Sequence, residues 1–150
     1  MELAPRILIV DDETALTEAL AMQLRTCGFS VDTAHNGADA LALARSRTYD
    51  AVVSDILMPI MDGQEFYDKL RGYNPGLCDH FIFMSAYGTM MSQLTRRFVR
   101  NKENDLRKPF TLNDLLTSLS KVVPAHRWPK EAVLSAPKPA AEKAAEPKKV

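Results

Sequence analysis

Short β-rich runs alternate with stretches of helical periodicity along most of this chain, and that alternation admits few folds. The runs Ile7–Val10, Phe29–Ala34, Tyr49–Asp55 and His80–Met84 are strand-like, and a weaker fifth stands near Leu106. After Asp12, apolar residues recur at Leu16, Ala19, Leu20, Leu24 and Cys27, one stripe of a helix, with Asp12 expected as its N-cap and Gly28 as its stop. Asn36-Gly37 opens a second helix carrying Ala38, Leu41, Ala42 and Ala44. Asp62 and Glu65 stand in capping-box spacing at the head of a third helix that runs to about Tyr73. A fourth helix is expected from about Thr89 to Val99, and Thr111 caps a last one that turns Leu112, Leu115, Leu116 and Leu119 inward.

Five βα units in series point to an α/β fold with a doubly wound parallel sheet. Crossovers between parallel strands are almost always right-handed, which places helices on both faces. The third run is apolar almost throughout, as a strand covered on both sides should be. A five-stranded sheet in the order 2-1-3-4-5 has its switch point between strands 1 and 3, and ligands bind there, beyond the carboxyl ends of the strands.

Those carboxyl ends carry acidic residues. Asp11 and Asp12 close the first run, Asp55 closes the third, and Lys108 stands directly before Pro109. On parallel strands these carboxylates leave from one edge of the sheet. Such a cluster can hold a hard divalent cation, and the lysine can pair with an anion that joins it.

The bulk numbers fit this picture. At 150 residues the chain suits one domain with some length to spare, and 46% hydrophobic with 25% charged residues is enough for a packed core under a soluble surface. Zero net charge gives no whole-chain reason to expect nucleic acid or a membrane as partner. Residues 126–150 carry six Lys/Arg against three Glu, a net of +3, so the preceding part carries −3. The two cysteines, Cys27 and Cys78, lack metal-ligand spacing and are expected as small buried or half-buried thiols. There is no secretory apolar core after Met1, and no run approaches the roughly 20 apolar residues of a membrane span, so a cytoplasmic protein is expected. From Pro124 onward Ala, Pro, Lys and Glu dominate. Such a composition cannot bury enough surface to offset ordering entropy. The expected organisation is therefore a domain over 1–123 and a flexible tail over 124–150, with Trp128 and Val133-Leu134 as its only sticky residues.

Four pieces of this sequence together resemble the receiver domain of two-component response regulators, over about residues 4–123. They are Ile7-Leu8-Ile9-Val10-Asp11-Asp12-Glu13, Asp55-Ile56-Leu57-Met58-Pro59-Ile60-Met61-Asp62-Gly63, Ser85-Ala86 and Lys108-Pro109-Phe110. The resemblance implies a flavodoxin-like fold and a stand-alone, Mg²⁺-dependent phosphorylation switch or relay. It implies that Asp55 accepts a phosphoryl group from a phosphohistidine on a histidine kinase or histidine phosphotransfer protein, or from a small acyl phosphate. A carboxylate nucleophile yields a reactive acyl phosphate, suited to transient information. The resemblance also implies that Asp11, Asp12, Asp55 and the backbone carbonyl of Leu57 hold the magnesium ion. Lys108 and Ser85 would contact the phosphoryl oxygens, and the Lys108–Pro109 peptide would be cis. Catalysis would be confined to the domain's own phosphoryl transfer and dephosphorylation, and output would pass to a downstream protein target that the sequence does not name.

The sequence also departs from the family pattern. An aromatic residue usually stands three positions before the lysine, and here that place holds Asp105, in a fifth strand poor in apolar residues. Phe98 and Tyr87 are the nearby aromatics that could substitute. Leu57 and Tyr87 occupy positions that in the family flank the attacking water, and bulky groups there imply a phosphoryl group that outlasts that of fast chemotaxis-type receivers. The basic run from Arg96 to Lys102 reads as a solvated helix face more readily than as a partner face. His35, His80 and His126 show no metal spacing and are assigned no chemistry. Two rivals follow. One is a phosphorylation-independent pseudo-receiver acting as an interaction module. The other is a metal-dependent phosphatase, which would need a second acid where Leu57 stands.

Overall fold

The computed structural model describes residues 3–86, 105–130 and 132. The helix expected over 89–99, the basic run over 96–102, Tyr87 and Phe98 lie outside the described residues. Within them the order is β1 (Arg6–Val10), α1 (Thr14–Thr26), β2 (Ser30–Ala34), α2 (Gly37–Ser46), β3 (Ala51–Asp55), α3 (Gly63–Tyr73), a single helical turn α4 (Pro75–Cys78), β4 (Phe81–Ser85), β5 (Leu106–Arg107) and α5 (Leu112–Ser120). The five strands form one sheet in the order β2-β1-β3-β4-β5, and every pairing is parallel. This is the doubly wound, flavodoxin-like arrangement expected from the alternation of runs.

Period-2 alternation explains how one sheet feeds two cores. Ile7, Ile9, Val53, Ile82 and Met84 point to one face and pack with Leu20 and Leu24 of α1 and Leu115, Leu116 and Leu119 of α5. Leu8, Val10, Val52, Phe81 and Phe83 point to the other and meet Ala40, Leu41 and Ala44 of α2 and Phe66, Tyr67 and Leu70 of α3. Both cysteines are buried and neither forms a disulfide; Cys27 lies in the first core and Cys78 in the second. Among the described residues no helix is long and apolar enough to cross a membrane.

The helix ends follow local chemistry, with one correction. Asn36 caps α2 through Asp39 N–H, Asp62 caps α3 through Glu65 N–H, and Thr111 and Asp114 form a reciprocal capping box on α5. Gly28 stops α1 as expected: at φ 99° its N–H reaches Arg25 O at 2.9 Å, while Phe29 N–H reaches Leu24 O at 3.1 Å. Those two bonds are the Schellman arrangement, and an L side chain would be strained at that φ. Asp12, however, is not the N-cap of α1. Glu13 holds that position without a side-chain bond, and its N–H is taken instead by Asp11 Oδ1 at 2.9 Å. The turn α4 was not expected from the sequence; Asn74 caps it and Pro75 begins it, a start signal that needs only four residues.

A polar knot fixes the far ends of the strands. Arg47 grips Asp32 with Nη1 at 3.1 and 3.0 Å, and the Tyr49 hydroxyl donates to Asp32 Oδ2 at 2.7 Å. Burial alone would raise the Asp32 carboxyl, but the Tyr49 bond and the Arg47 guanidinium outweigh it and hold the group below its ordinary value. A depressed carboxyl contributes stability above its unfolded value, about 3.9, that is lost as pH falls through its lower folded value. Asp32→Asn is therefore expected to cost about 0.5–1 kcal/mol at pH 7 and clearly less at pH 3, read from urea midpoints at both. An equal loss at the two pH values would show that charge plays no part.

The packed unit does not stop at Val123. Residues Ala125–Arg127 form a 3-10 turn, Trp128 meets Phe29 edge-to-face at 5.2 Å between ring centroids, and Ala132 is fully buried in the α1/α5 core. Composition pointed to a tail from Pro124 because it averages over the Ala/Pro/Lys residues that follow. A few well-placed contacts by Arg127, Trp128 and Ala132 order its first part.

Candidate functional site

Register brings the expected residues together. Val10 faces Ser54 across β1 and β3, so the next residue on each strand, Asp11 and Asp55, leaves the sheet at one level. Carboxylate oxygens of Asp11, Asp12 and Asp55 lie within 4.8 Å of one another. Asp11 is fully buried, Asp55 half-buried and Asp12 exposed, which grades the cluster from protein interior to solvent. On the next pair of strands, Lys108 N–H bonds Ser85 O at 2.8 Å, which docks the lysine beside the end of β4. The peptide between Lys108 and Pro109 is cis.

Lys108 lies between the carboxylates. Its Nζ donates to Asp11 Oδ2 at 2.6 Å and to Asp55 Oδ2 at 3.3 Å. The second oxygens are held by backbone: Asp11 Oδ1 accepts from Glu13 N–H, and Asp55 Oδ1 accepts from Ile56 N–H at 2.8 Å. Burial pushes the Asp55 carboxyl up, the neighbouring Asp11 charge pushes it further, and Lys108 with the Ile56 N–H offsets only part of this. Burial would lower the lysine, yet its bonds to Asp11 and Asp55 raise it, so Lys108 is the cation of the pocket. Two close anions that cannot both be relieved by one lysine favour an added cation.

The loop after β3 is drawn in tightly. Gly63 N–H bonds Ile56 O at 2.7 Å and Gly37 N–H bonds Met61 O at 2.8 Å. Between these anchors Met61 N–H closes on Pro59 O at 2.7 Å, and Ile60 is carried to φ 71°. A β-branched residue in that left-handed region costs about 1–2 kcal/mol, so the anchors must hold it. Leu57 and Ile60 remain exposed on this loop. Glycine 63 is a site residue that pattern reading places only inside the receiver-like motif. Its function is close approach: a Cβ there would stand 2.1 Å from Asp55 O.

Asp105 occupies the place of the missing aromatic. Its Oδ1 accepts the Phe83 N–H in a long bond of 3.4 Å, immediately before the Met84–Leu106 pair of the two-residue strand β5. A side chain thus continues a ladder that the short strand does not.

The Lys108 ion pair makes a stability prediction. Removing one partner of a buried pair typically costs about 3–5 kcal/mol. The lysine side chain is 17% exposed, so Lys108→Met is expected to cost nearer ~2 kcal/mol by urea unfolding without divalent cation. Adding Mg²⁺ should recover part of the loss, because a cation again faces Asp11 and Asp55. An unchanged midpoint would show that the pair stabilises nothing.

A family model described as response regulator receiver domain matches residues 7–120. The Mycobacterium tuberculosis response regulator MprA is 36% identical over 114 residues, covering 76% of this chain and 48% of that protein. The Porphyra purpurea protein named probable transcriptional regulator ycf29 is 32% identical over 117 residues, 78% of this chain and 56% of that one. The chain therefore spans about half the length of the curated relatives it matches. Among solved structures, response regulator TrrA of Thermotoga maritima, determined in complex with Mg²⁺-BeF, superposes with a TM-score of 0.69 at 32% identity, covering 79% of this chain and 99% of that one. A CheY-like receiver domain protein of Methanospirillum hungatei gives 0.68 at 26% identity, over 79% and 92%.

Proposed function

Because the chain belongs to the response regulator receiver domain family, we propose that it is a phosphorylation-controlled switch or relay with Asp55 as phosphoacceptor. The observation that carries this reading is the cluster itself: three carboxylates with oxygens within 4.8 Å of one another, and Lys108 donating to two of them. In the transfer an oxygen of the Asp55 carboxylate forms a bond to phosphorus, and the bond from phosphorus to the histidine nitrogen of a kinase or phosphotransfer partner breaks. Asp55 Oδ1 is engaged by Ile56 N–H, so Oδ2, on the lysine side, is the attacking atom. Lys108 would leave Asp55 for the incoming phosphoryl oxygens, and Ser85 would donate its hydroxyl to the same group. Both act on negative charge that develops in transfer.

An all-oxygen donor set suits Mg²⁺, which prefers carboxylates and retains several waters. Asp11, Asp12, Asp55 and the Leu57 carbonyl would hold it, and when bound it neutralises the charge that would repel a phosphate dianion. The relative solved with Mg²⁺-BeF supports the assignment by likeness.

The test is the intact mass of the full chain after incubation with Mg²⁺ and acetyl phosphate or phosphoramidate. A gain of one phosphoryl group, lost when Mg²⁺ is chelated, is the expected result. No gain with any donor would sink this reading in favour of the pseudo-receiver. Asp105 is the observation that favours that second reading, because its carboxylate, bonded to the β4 backbone, stands where the family's switch aromatic belongs.

A further inference from the structure

All five strands are parallel, so the sheet has one acidic pole, with Asp11, Asp12, Asp55 and Lys108, and an opposite pole where the strands begin. The segment after α5 returns to that opposite pole. Arg127 Nη2 donates to Asp50 Oδ2 at 2.9 Å just before β3, and its Nη1 donates to Leu3 O at 2.9 Å just before β1. Trp128 stands edge-on to Phe29 just before β2. Three strand entrances are thus tied by two consecutive residues. Asp50 is itself fixed to β1, accepting Arg6 N–H at 2.8 Å and donating its own N–H to Arg6 O at 2.7 Å. Arg127 therefore grips an anchored carboxylate. Beyond it, Ala132 N–H turns back onto Pro129 O, and the alanine side chain is fully buried beside the α1/α5 core.

We propose that the segment from Pro124 to Lys130, together with Ala132, is a clasp that closes this opposite pole and belongs to the cooperative fold, although it lies past the residues the family model matches. Its physical basis is the pairing of one forked arginine contact, to a carboxylate and to a backbone carbonyl, with one aromatic contact. Arg127 fixes direction, since its planar fork must meet both a carboxylate and a carbonyl. Trp128 supplies apolar area, and edge-to-face packing adds to it. Because five residues of strand at about 3.3 Å each separate the poles, the clasp leaves the phosphoacceptor face open.

Trp128 is the one tryptophan of the chain, so its fluorescence reports the clasp directly. Acrylamide quenching of the full-length protein is expected to be several-fold weaker under native conditions than in urea. Arg127→Ala should raise native quenching while retaining the reporter. Trp128→Ala and Arg127→Ala, followed by far-ultraviolet dichroism, should each lower Tm, the former by at least about 5 °C. Native quenching equal to that of the unfolded chain would overturn the proposal. So would two variants that melt with the parent. The first of these measurements needs no variant, so a misfolded mutant cannot leave the question open.

Discussion

Asp55→Asn is expected to reduce phosphoryl uptake from acetyl phosphate or phosphoramidate to background while the fold survives. The amide cannot attack phosphorus, and neither other carboxylate of the cluster is placed to replace it: Asp11 is fully buried, and Asp12 is exposed toward solvent. Intact mass with and without Mg²⁺ reads the result. Residual uptake at the parent's level would move the acceptor to another residue and overturn the assignment. The stability of the same variant carries a second expectation. Burial and the Asp11 charge raise the Asp55 carboxyl, so the ionised form is disfavoured in the metal-free fold. A carboxyl raised on folding contributes stability at low pH that is lost as pH rises through its folded value. Removing its charge should therefore raise the urea midpoint at pH 7 without divalent cation, and the gain should vanish at low pH, where the carboxyl is neutral.

Gly63→Ala is expected to have the largest effect on stability. A Cβ at this residue would lie 2.1 Å from Asp55 O and 3.0 Å from Ile56 Cα. Both obstacles are backbone, so no side chain can swing aside; β3 and the start of α3 would have to part, breaking the Gly63 N–H to Ile56 O bond. Overpacking against rigid surroundings typically costs about 1–3 kcal/mol and sometimes more, and the upper end is expected here. The displaced strand end carries Asp55, so phosphoryl uptake should fall with stability. Gly72 supplies the contrast on the same helix. Nothing lies within 4 Å of a Cβ there, and Gly72→Ala should stabilise by about 0.5–1 kcal/mol through helix propensity alone. If the two variants shift the urea midpoint equally, the close approach at Gly63 has no energetic weight.

Much of the molecule is legible in its sequence. The central strands β1, β3 and β4 show as apolar runs because strands covered on both faces need nearly every side chain apolar, whichever way it points. Helix ends show where one side chain suffices to cap, as at Asn36, Asp62 and Thr111. The cap of α1 is the reverse case. Asp12 looks like a cap, but Asp11 takes the available N–H and Asp12 joins the carboxylate cluster. Composition fails at Trp128, because a window rich in Ala, Pro and Lys conceals one arginine and one indole whose partners, Asp50, Leu3 and Phe29, lie far away in the chain.

What the sequence determined by itself is therefore whatever depends on periodicity and local caps: the alternation of strands and helices, the five-stranded parallel sheet, and four acid or base residues at strand ends. Tertiary structure decided what depends on register and close approach. Only the Val10–Ser54 pairing makes Asp11 and Asp55 neighbours, and only then does Lys108 lie between them. Only the packing of α3 against β3 makes Gly63 indispensable. Local preferences are set by neighbours a few residues away, whereas the site's charges and the clasp's contacts join residues 44 to 124 positions apart. Those distances are closed by the whole core at once, so no window of sequence contains them.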